Sequence, residues 1–450
     1  MKTLFIRFRW VALLAATLAL IPGDLRAQQA PILLPPIAPP AAAPRPSLSV
    51  SVTTERPDAL YRVGEKAMFS VKVRSTDGLV PLGEISYQLS LDGEGNLGSG
   101  TLPLQQGVAT LSGTLDKPGI LRCTVTFGGT GSEKAVGAMA AAAFDPFQIP
   151  PTATVPADFD EFWMGQKAEL AAIAPDVQLE LVDQPNTTVE TYKISLANIN
   201  GSRVRGYFSR PKAPGSYPAI LEVPGAGVRA IASGNVTVQA AKGFLAMEIG
   251  VHDIPVDSPK DYYDKLWAGE LNGYPTAGRE DRLTYYFRRV YMGCVRAVDY
   301  LTARAEWDKT HMIINGSSQG GALALATAGL DSRITALAAN VPAMAEHSGR
   351  AFGRPSGWPR LIPRDADGKL NPQVSAVSGY YDSVNFARRI RVPAIFGVGL
   401  VDTTCPPTTV FSAYNVLQGP KQIDIAPLMG HAFNKTYVEM LGRFIQESSR

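Results

Sequence analysis

One short segment, Gly316-Ser317-Ser318-Gln319-Gly320-Gly321, constrains the fold of this chain more than any other feature. It follows the apolar strand candidate 312–315 directly and runs into 322–330, a stretch rich in the helix formers alanine and leucine. A strand, a tight turn with glycines on both sides of a serine, and a helix together hold that serine above the end of a sheet. The pattern predicts an α/β fold in which Ser318 is the nucleophile.

The residues from about 150 onward have the pattern of elements that such a fold requires, because apolar strand candidates alternate with helical stretches. The strand candidates are 219–223, 244–251, 312–315, 334–341, 394–400 and 423–427, and the helical stretches are 285–304, 322–330, 407–417 and 434–447. This alternation predicts a mostly parallel sheet with helices on both faces. Ligands in such sheets bind at the carboxyl ends of the strands, so the functional residues are expected there.

An earlier part of the chain, 48–145, has a different pattern. It consists of short segments in which apolar and polar residues alternate with period two, separated by turn residues. The strand candidates are 48–52, 67–73, 85–91, 108–111 and 121–127. Strands at this spacing, without helical patterns between them, predict an all-β, immunoglobulin-like sandwich. The segment contains no histidine, so it is expected to be a spacer or packing module rather than a catalytic one. A sugar-binding module is the alternative.

The first 47 residues are expected to be an export signal and a linker. A basic start, an apolar run over 10–22 and small residues up to Ala27 are typical of a signal peptide covering 1–27. The apolar run is shorter than the roughly 20 residues that span a bilayer, so no membrane anchor is expected. Residues 28–47 are rich in proline and alanine and predict an extended linker. The resulting plan has a sandwich over 48–145, an enzyme domain over 146–450, and a periplasmic or extracellular location.

Composition and charge exclude several other classes of protein. Hydrophobic residues make up 45% of the chain and charged residues 18%, which is typical of globular proteins. The formal charge of +3 comes entirely from residues 1–27, so nucleic acid is not an expected partner. Three cysteines are too few and too distant for a disulfide scaffold or a structural zinc site. Neither a metal-binding motif nor a phosphate-binding loop is present, so no cofactor or metal is predicted.

A serine nucleophile needs a histidine base and an acid that orients it, and in this fold the order is serine, acid, histidine. Among four histidines, His431 alone follows both the serine and the last strand candidate. Asp402 comes directly after the strand candidate 394–400 and is the predicted acid. Asp382 and Asp424 are less well placed, because the first precedes a helical stretch and the second lies within a strand candidate. The remaining histidines, expected to be structural or pocket residues, are His252, His311 and His347.

Two further sets of residues are predicted around this triad. The oxyanion of an acyl-transfer intermediate needs hydrogen-bond donors, for which the backbone N–H groups of Gln319 and Ala226 are the candidates. Aromatic residues in two long excursions, 252–282 and 342–382, are candidates for stacking on a sugar ring, although packing under loops is equally compatible with them. The predicted substrate-binding residues are Tyr262, Tyr263, Trp267 and Trp358.

Across about residues 150–447 these motifs together resemble the acetyl xylan esterase and cephalosporin C deacetylase family of α/β-hydrolases. The segments that carry the resemblance are 156–163, 285–291, 316–321, 399–407 and 430–431. The resemblance implies the same triad, the removal of small acyl groups from sugars, and a possible homo-oligomer. Two departures are present: family members usually have a tyrosine in the oxyanion loop, here Pro224-Gly225-Ala226, and a glutamate after the histidine, here Ala432.

The sequence thus predicts a secreted serine esterase that removes acetyl or other small acyl groups from oligosaccharides such as acetylated xylan fragments, through an acyl-enzyme. Two alternatives stay open at this point. One is a serine peptidase of the same fold, and the other is a non-catalytic carbohydrate-binding protein.

Overall fold

The structure is a computed structural model that describes residues 48–76, 78–80, 82–128, 135–183 and 186–450. The predicted signal peptide, 1–27, and linker, 28–47, lie outside these ranges. Within them, no helix has both the length and the apolar character that a membrane crossing requires.

Residues 49–144 form an all-β sandwich of two sheets. Its strands are β1 Ser49–Thr54, β2 Leu60–Tyr61, β3 Ala67–Ser75, β4 Gly78–Leu79, β5 Glu84–Leu91, β6 Glu94–Pro103, β7 Val108–Gly113, β8 Gly119–Phe127 and β9 Val136–Phe144. Strand β3 pairs with β1, β4 and β7 in one sheet, and the other sheet has the order β2-β9-β8-β5-β6. Alternating residues such as Phe69, Val71, Cys123 and Val125 fill the core between the sheets. The all-β prediction agrees with this arrangement, and the immunoglobulin-like assignment stays a prediction.

The described residues of the second part of the chain form a nine-stranded sheet with helices on both faces. Its strands are β10 Gln178–Leu181, β11 Val189–Ala197, β12 Arg203–Pro211, β13 Tyr217–Val223, β14 Leu245–Ile249, β15 Trp307–Ser317, β16 Ala336–Asn340, β17 Ala394–Gly399 and β18 Lys421–Ala426. The helices are α1 Phe159–Ala171, α2 Gly234–Ala241, α3 Lys260–Ala268, α4 Phe287–Thr302, α5 Gln319–Leu330, α6 Pro372–Ser378, α7 Ser383–Ala387, α8 Pro407–Asn415 and α9 Lys435–Glu447.

The strand order is β10-β11-β12-β14-β13-β15-β16-β17-β18, and the pairs from β14 to β18 are parallel. Strands β10, β11 and β12 add an antiparallel extension that the sequence pattern does not predict. Because the central strands are covered by helices on both faces of the sheet, their side chains are apolar on both faces. Ile220 and Ile313 face the side where α2 and α9 pack, whereas Leu221 and Ile314 belong to the core on the opposite face.

The sandwich and the α/β domain share a hydrophobic core rather than meeting through a linker. The predicted boundary between 145 and 146 falls just after β9, but Ala141 and Ala143 of β9 belong to the same buried cluster as the core of the α/β domain. Beyond β9, the ring of Phe147 packs edge-on against Phe411 of α8, with centroids 5.7 Å apart. Chain-distant segments are therefore held together by apolar packing across the domain boundary.

All three cysteines, Cys123, Cys294 and Cys405, are buried and free. Burial raises the pKa of the Cys123 and Cys294 thiols to about 12. These two side chains therefore behave as small apolar groups in their cores.

Candidate active site

Ser318 lies in a strained turn between β15 and α5, as the glycine pattern predicts. Its φ of 60° and ψ of −122° place a non-glycine residue in a region that side chains rarely adopt. A Cβ on Gly316 would lie 2.3 Å from the carbonyl oxygen of Gly320, and a Cβ on Gly320 would lie 2.3 Å from that of Val223. Only glycine fits at these two positions, so the backbone can turn sharply enough to present the serine at the carboxyl edge of the sheet.

The structure brings Ser318, His431 and Asp402 into one hydrogen-bonded chain. The Oγ of Ser318 lies 2.8 Å from Nε2 of His431, and Nδ1 of His431 lies 2.7 Å from Oδ2 of Asp402. Asp402 is fully buried, and its Oδ1 accepts hydrogen bonds from the backbone N–H groups of Thr404 and Cys405 at 2.8 and 3.0 Å. These donors fix the carboxylate so that its second oxygen faces the imidazole.

The histidines not assigned to the triad lie elsewhere. His311 pairs with Asp308 at the start of β15, and His347 is buried within the α/β domain. Burial lowers the pKa of His347 to about 3, so this imidazole is neutral at physiological pH. His252 makes its contacts at the oxyanion loop described below.

The rival acids also have other partners. Asp382 caps α7 and accepts hydrogen bonds from the N–H groups of Val384 and His347. Asp424 accepts a hydrogen bond from Asn434 at 2.7 Å. The contacts of these two carboxylates are therefore structural, and Asp402 is the acid that contacts His431.

The two predicted oxyanion donors lie close to Ser318 along the chain or around the cavity. Ala226 lies in the loop after β13 and lines the cavity that contains Ser318, and Gln319 follows the serine at the first position of α5. Within the described ranges, neither backbone N–H has a protein acceptor, whereas the next N–H in the loop, that of Gly227, donates to Oη of Tyr274 at 3.2 Å. The donors are thus available to a ligand oxygen near Ser318.

Tyr274 connects the side chain of Gln319 to the loop that carries Ala226, a contact that no pattern in the sequence predicts. Its side chain is buried, and its hydroxyl donates to Oε1 of Gln319 at 2.6 Å while accepting from Gly227. His252 packs edge-on against the Tyr274 ring and lies 3.2 Å from the carbonyl oxygen of Gly227. Burial lowers the pKa of His252 to about 4, so it acts here as a neutral hydrogen-bonding group. The sequence shows both residues in one excursion but contains no signal for their contact with the loop.

The serine and the histidine open into a cavity of about 790 Å³. Among the predicted aromatic residues, Trp358 lines this cavity, and its backbone N–H donates to the carbonyl oxygen of Thr404 in the loop after Asp402. Tyr262, Tyr263 and Trp267 do not line it. Tyr263 is buried, with its hydroxyl bonded to the backbone of Pro255 and Ser258, and the half-exposed ring of Trp267 contacts Tyr274.

Polar side chains from three neighbouring strands line another part of the cavity. Glu222, Glu248 and Asn315 lie side by side in register on β13, β14 and β15, and Nδ2 of Asn315 donates to Glu222 at 2.6 Å. Burial raises the pKa of Glu222 to about 7 and that of Glu248 above its ordinary value. Asn235 of α2 donates to Glu248 and also lines the cavity. This part of the cavity offers carboxyl and amide groups, which are the groups that bind hydroxyls.

Within the described part of the chain, one cluster has the residue types of a metal site: Asp402, Cys405 and His431, whose ligand atoms lie within 4.8 Å of one another. Asp402 and His431 already use these atoms in their mutual hydrogen bond. Burial raises the pKa of the Cys405 thiol well above its ordinary value, which disfavours the thiolate that binds metals. The residues present therefore suit a serine–histidine–aspartate arrangement better than a metal site.

Comparison with known proteins identifies the family of this chain. Residues 148–447 match the family described as acetyl xylan esterase (AXE1). The chain is 34% identical over 392 residues to acetyl esterase Axe7A of Xylanibacter ruminicola, a match that covers 85% of this chain and 87% of that protein. Because 392 residues are more than the α/β domain contains, this similarity extends into the sandwich.

Solved structures show the same fold. The acetyl xylan esterase from Paenibacillus sp. R4 is 30% identical with a TM-score of 0.57, and the match covers 67% of this chain and 98% of that one. Acetyl xylan esterase 1 from Thermoanaerobacterium sp. JW/SL YS485 has 24% identity and a TM-score of 0.58 over 67% of this chain and 97% of that one. The resemblance drawn from the sequence motifs is thus confirmed.

Proposed function

Because the chain belongs to the acetyl xylan esterase family and is a carboxylic ester hydrolase, we propose that it removes acetyl groups from acetylated xylan fragments through an acyl-enzyme on Ser318. The single observation that carries the mechanism is the continuous hydrogen-bonded chain from Ser318 through His431 to Asp402. This order of contacts is the one that a histidine base needs to activate a serine hydroxyl.

In the first half of the proposed reaction, Oγ of Ser318 attacks the acetyl carbonyl carbon while Nε2 of His431 takes the hydroxyl proton. The negative charge that develops on the carbonyl oxygen is stabilised by the N–H groups of Gln319 and Ala226. When the bond between carbonyl carbon and sugar oxygen breaks, His431 returns its proton to that oxygen. The sugar leaves as an alcohol, and the acetyl group stays on Ser318.

In the second half, a water molecule takes the place of the sugar hydroxyl. His431 accepts a proton from the water, whose oxygen attacks the acetyl carbonyl carbon, and the bond to Oγ of Ser318 then breaks with return of the proton. Acetate is released. The buried carboxylate of Asp402 holds the imidazole in the required tautomer and balances its charge in both halves.

The cavity supports a carbohydrate as the alcohol part of the ester. The side chains of Glu222, Glu248, Asn235 and Asn315 present acceptors and donors to hydroxyl groups, and Trp358 contributes an apolar face. We propose that the sugar occupies this polar part of the cavity with its acetyl group at Ser318. The signal-like composition of residues 1–27 supports the accompanying proposal that the enzyme acts outside the cytoplasm.

Release of acetate from acetylated xylo-oligosaccharides tests the proposal, and two adjacent serines provide the matched pair of variants. Ser318→Ala is expected to lower kcat by about 10⁵-fold or more because the nucleophile is lost. Ser317→Ala removes a hydroxyl that accepts a hydrogen bond from Asn340 and should lower it only several-fold. A folded Ser318→Ala protein that releases acetate at the parental rate would remove Ser318 from the mechanism. A parent enzyme that cleaves p-nitrophenyl acetate but no acetylated oligosaccharide would instead refute the proposal that acetylated xylan fragments are the substrate.

A further inference from the structure

The sandwich domain reaches the loop that carries Asp402 through a buried ion pair. Asp92, in the turn between β5 and β6, and Arg122, on β8, form this pair, and they are 1% and 5% exposed. The backbone N–H of Asp92 donates to the carbonyl oxygen of Ile120 at 2.8 Å, so the turn is fixed to the neighbouring strand. A buried charged pair is costly to desolvate unless its remaining hydrogen-bonding groups find partners.

Two further hydrogen-bond partners of this pair belong to the α/β domain. Nη2 of Arg122 donates to the backbone carbonyl oxygen of Asp402 at 2.8 Å. Oδ2 of Asp92 accepts a hydrogen bond from the backbone N–H of Thr408 at 2.9 Å. Both ends of the segment 402–408 are therefore bound by side chains of the sandwich.

The geometry of this segment makes the two contacts matter for the triad. Thr408 lies in the first turn of α8, where backbone N–H groups have no acceptor within the helix and a negative charge is favourable. Between the two contacts, the N–H groups of Thr404 and Cys405 hold Oδ1 of Asp402. A shift of the segment would therefore move both the carboxylate and the donors that orient it.

We propose that Arg122 and Asp92 are positioning residues, supplied by the sandwich, that hold the loop 402–408 so that the Asp402 carboxylate meets His431. This inference rests on the proposed triad. The sandwich is thus part of the catalytic apparatus, whereas the sequence favours a spacer or packing module, with a sugar-binding module as the alternative. The described residues of the sandwich present no exposed aromatic side chain, which argues against a sugar-binding face there.

The experiment replaces the pair in the full-length enzyme without leaving an unpaired buried charge. In the double variant Asp92→Asn/Arg122→Met, two uncharged side chains of similar volume take the place of the ion pair, an exchange that is often neutral for stability. The amide introduced at position 92 would be able to accept from Thr408, but the donor to the carbonyl oxygen of Asp402 is lost. The matched control is Glu94→Gln/Arg350→Met, because Glu94 and Arg350 form a 2.9 Å ion pair across the same domain boundary and neither side chain has a hydrogen bond or ion pair to the loop 402–408.

The readout is hydrolysis of p-nitrophenyl acetate, with active serines counted by a fluorophosphonate titrant so that kcat refers to folded sites. We expect the double variant at positions 92 and 122 to lose about 10- to 100-fold in kcat, the effect of misplacing a catalytic group by about 1 Å. KM should stay within about twofold of the parent. The control variant should keep both parameters within about twofold.

Two results would overturn the proposal: a kcat per titrated serine within twofold of the parent in the first variant, or an equal loss in the control. If the double variant does not fold, Arg122→Lys decides, because the lysine ammonium ends one bond short of Nη2, the atom that contacts both Asp92 and the carbonyl oxygen of Asp402. It should lower kcat at least several-fold with KM unchanged, and an unaltered kcat refutes the proposal. Failure of the proposed function would appear separately, as undiminished activity of Ser318→Ala.

Discussion

Replacing Asp402 by asparagine tests the triad most directly, because the hydrogen-bond partners of this side chain determine the orientation of the asparagine amide. Oδ1 of Asp402 accepts two backbone N–H bonds, so the oxygen of an asparagine must take that position. Its NH₂ group then faces Nδ1 of His431, where the carboxylate oxygen now lies 2.7 Å away. Two donors cannot face each other, so Nδ1 becomes the acceptor and the ring proton moves to Nε2.

An imidazole protonated at Nε2 cannot take the proton of Ser318, so Asp402→Asn should reduce kcat by about 10⁴-fold. That loss corresponds to about 5.5 kcal/mol of transition-state stabilisation. The assay is kcat on p-nitrophenyl acetate per titrated active site, with circular dichroism to verify folding. Asp424→Asn is the matched control, because Asp424 has the same chemistry on the neighbouring strand but bonds Asn434 instead of a histidine. A folded Asp402→Asn enzyme with kcat within tenfold of the parent would refute the assignment.

Two further predictions concern the oxyanion loop and the acidic part of the cavity. Tyr274→Phe removes the hydroxyl that joins Gln319 to the loop of Ala226 and should lower kcat about tenfold through weaker oxyanion binding. Tyr262 lies outside the cavity, so Tyr262→Phe should leave kcat unchanged, and equal kcat values for the two variants would contradict the role of Tyr274. Burial raises the pKa of Glu222 to about 7, so the folded protein binds this proton more tightly than the unfolded chain, and stability falls as pH rises from about 4.5 to 7. Glu222→Gln stays neutral and should therefore exceed the parent in unfolding free energy by about 3 kcal/mol at pH 8 and by little at pH 4.5. Denaturant titrations at both pH values check this, with exposed Glu84→Gln as control, and a pH-independent difference would count against it.

The elements around the proposed catalytic residues were predictable because each carries its signal locally. Glycines on both sides of a serine, between an apolar strand and an alanine-rich helix, can hardly form anything other than the turn seen at Ser318. The central strands β13 to β18 are buried on both faces and therefore appear as apolar runs. Asp402 and His431 follow two of these runs, so the fold rule that places active residues at strand ends identifies them.

The antiparallel strands β10 to β12 and the alanine-rich strand β9 were harder to recognise in the sequence, for physical reasons. Strands β10, β11 and β12 carry charged residues on partly exposed faces, so their apolar content is too low for a clear pattern. Strand β9 consists largely of alanine, which suggests no strand preference by itself. Its small side chains serve two cores: Ala140 and Ala142 face the sandwich interior, and Ala141 and Ala143 face the α/β domain.

The sequence by itself determined which residues can perform the chemistry. The signals for them are local or depend only on order along the chain: the strand–turn–helix pattern, the apolar runs, and the order of serine, aspartate and histidine. Only the tertiary structure decided what holds those residues in place. Arg122 meets the loop after Asp402 across 280 positions of sequence, and Tyr274 meets Gln319 from a different excursion. Neither contact leaves a periodic or compositional trace, because a single long-range hydrogen bond depends on how distant segments pack together in the folded protein and not on the residues beside each partner in the chain.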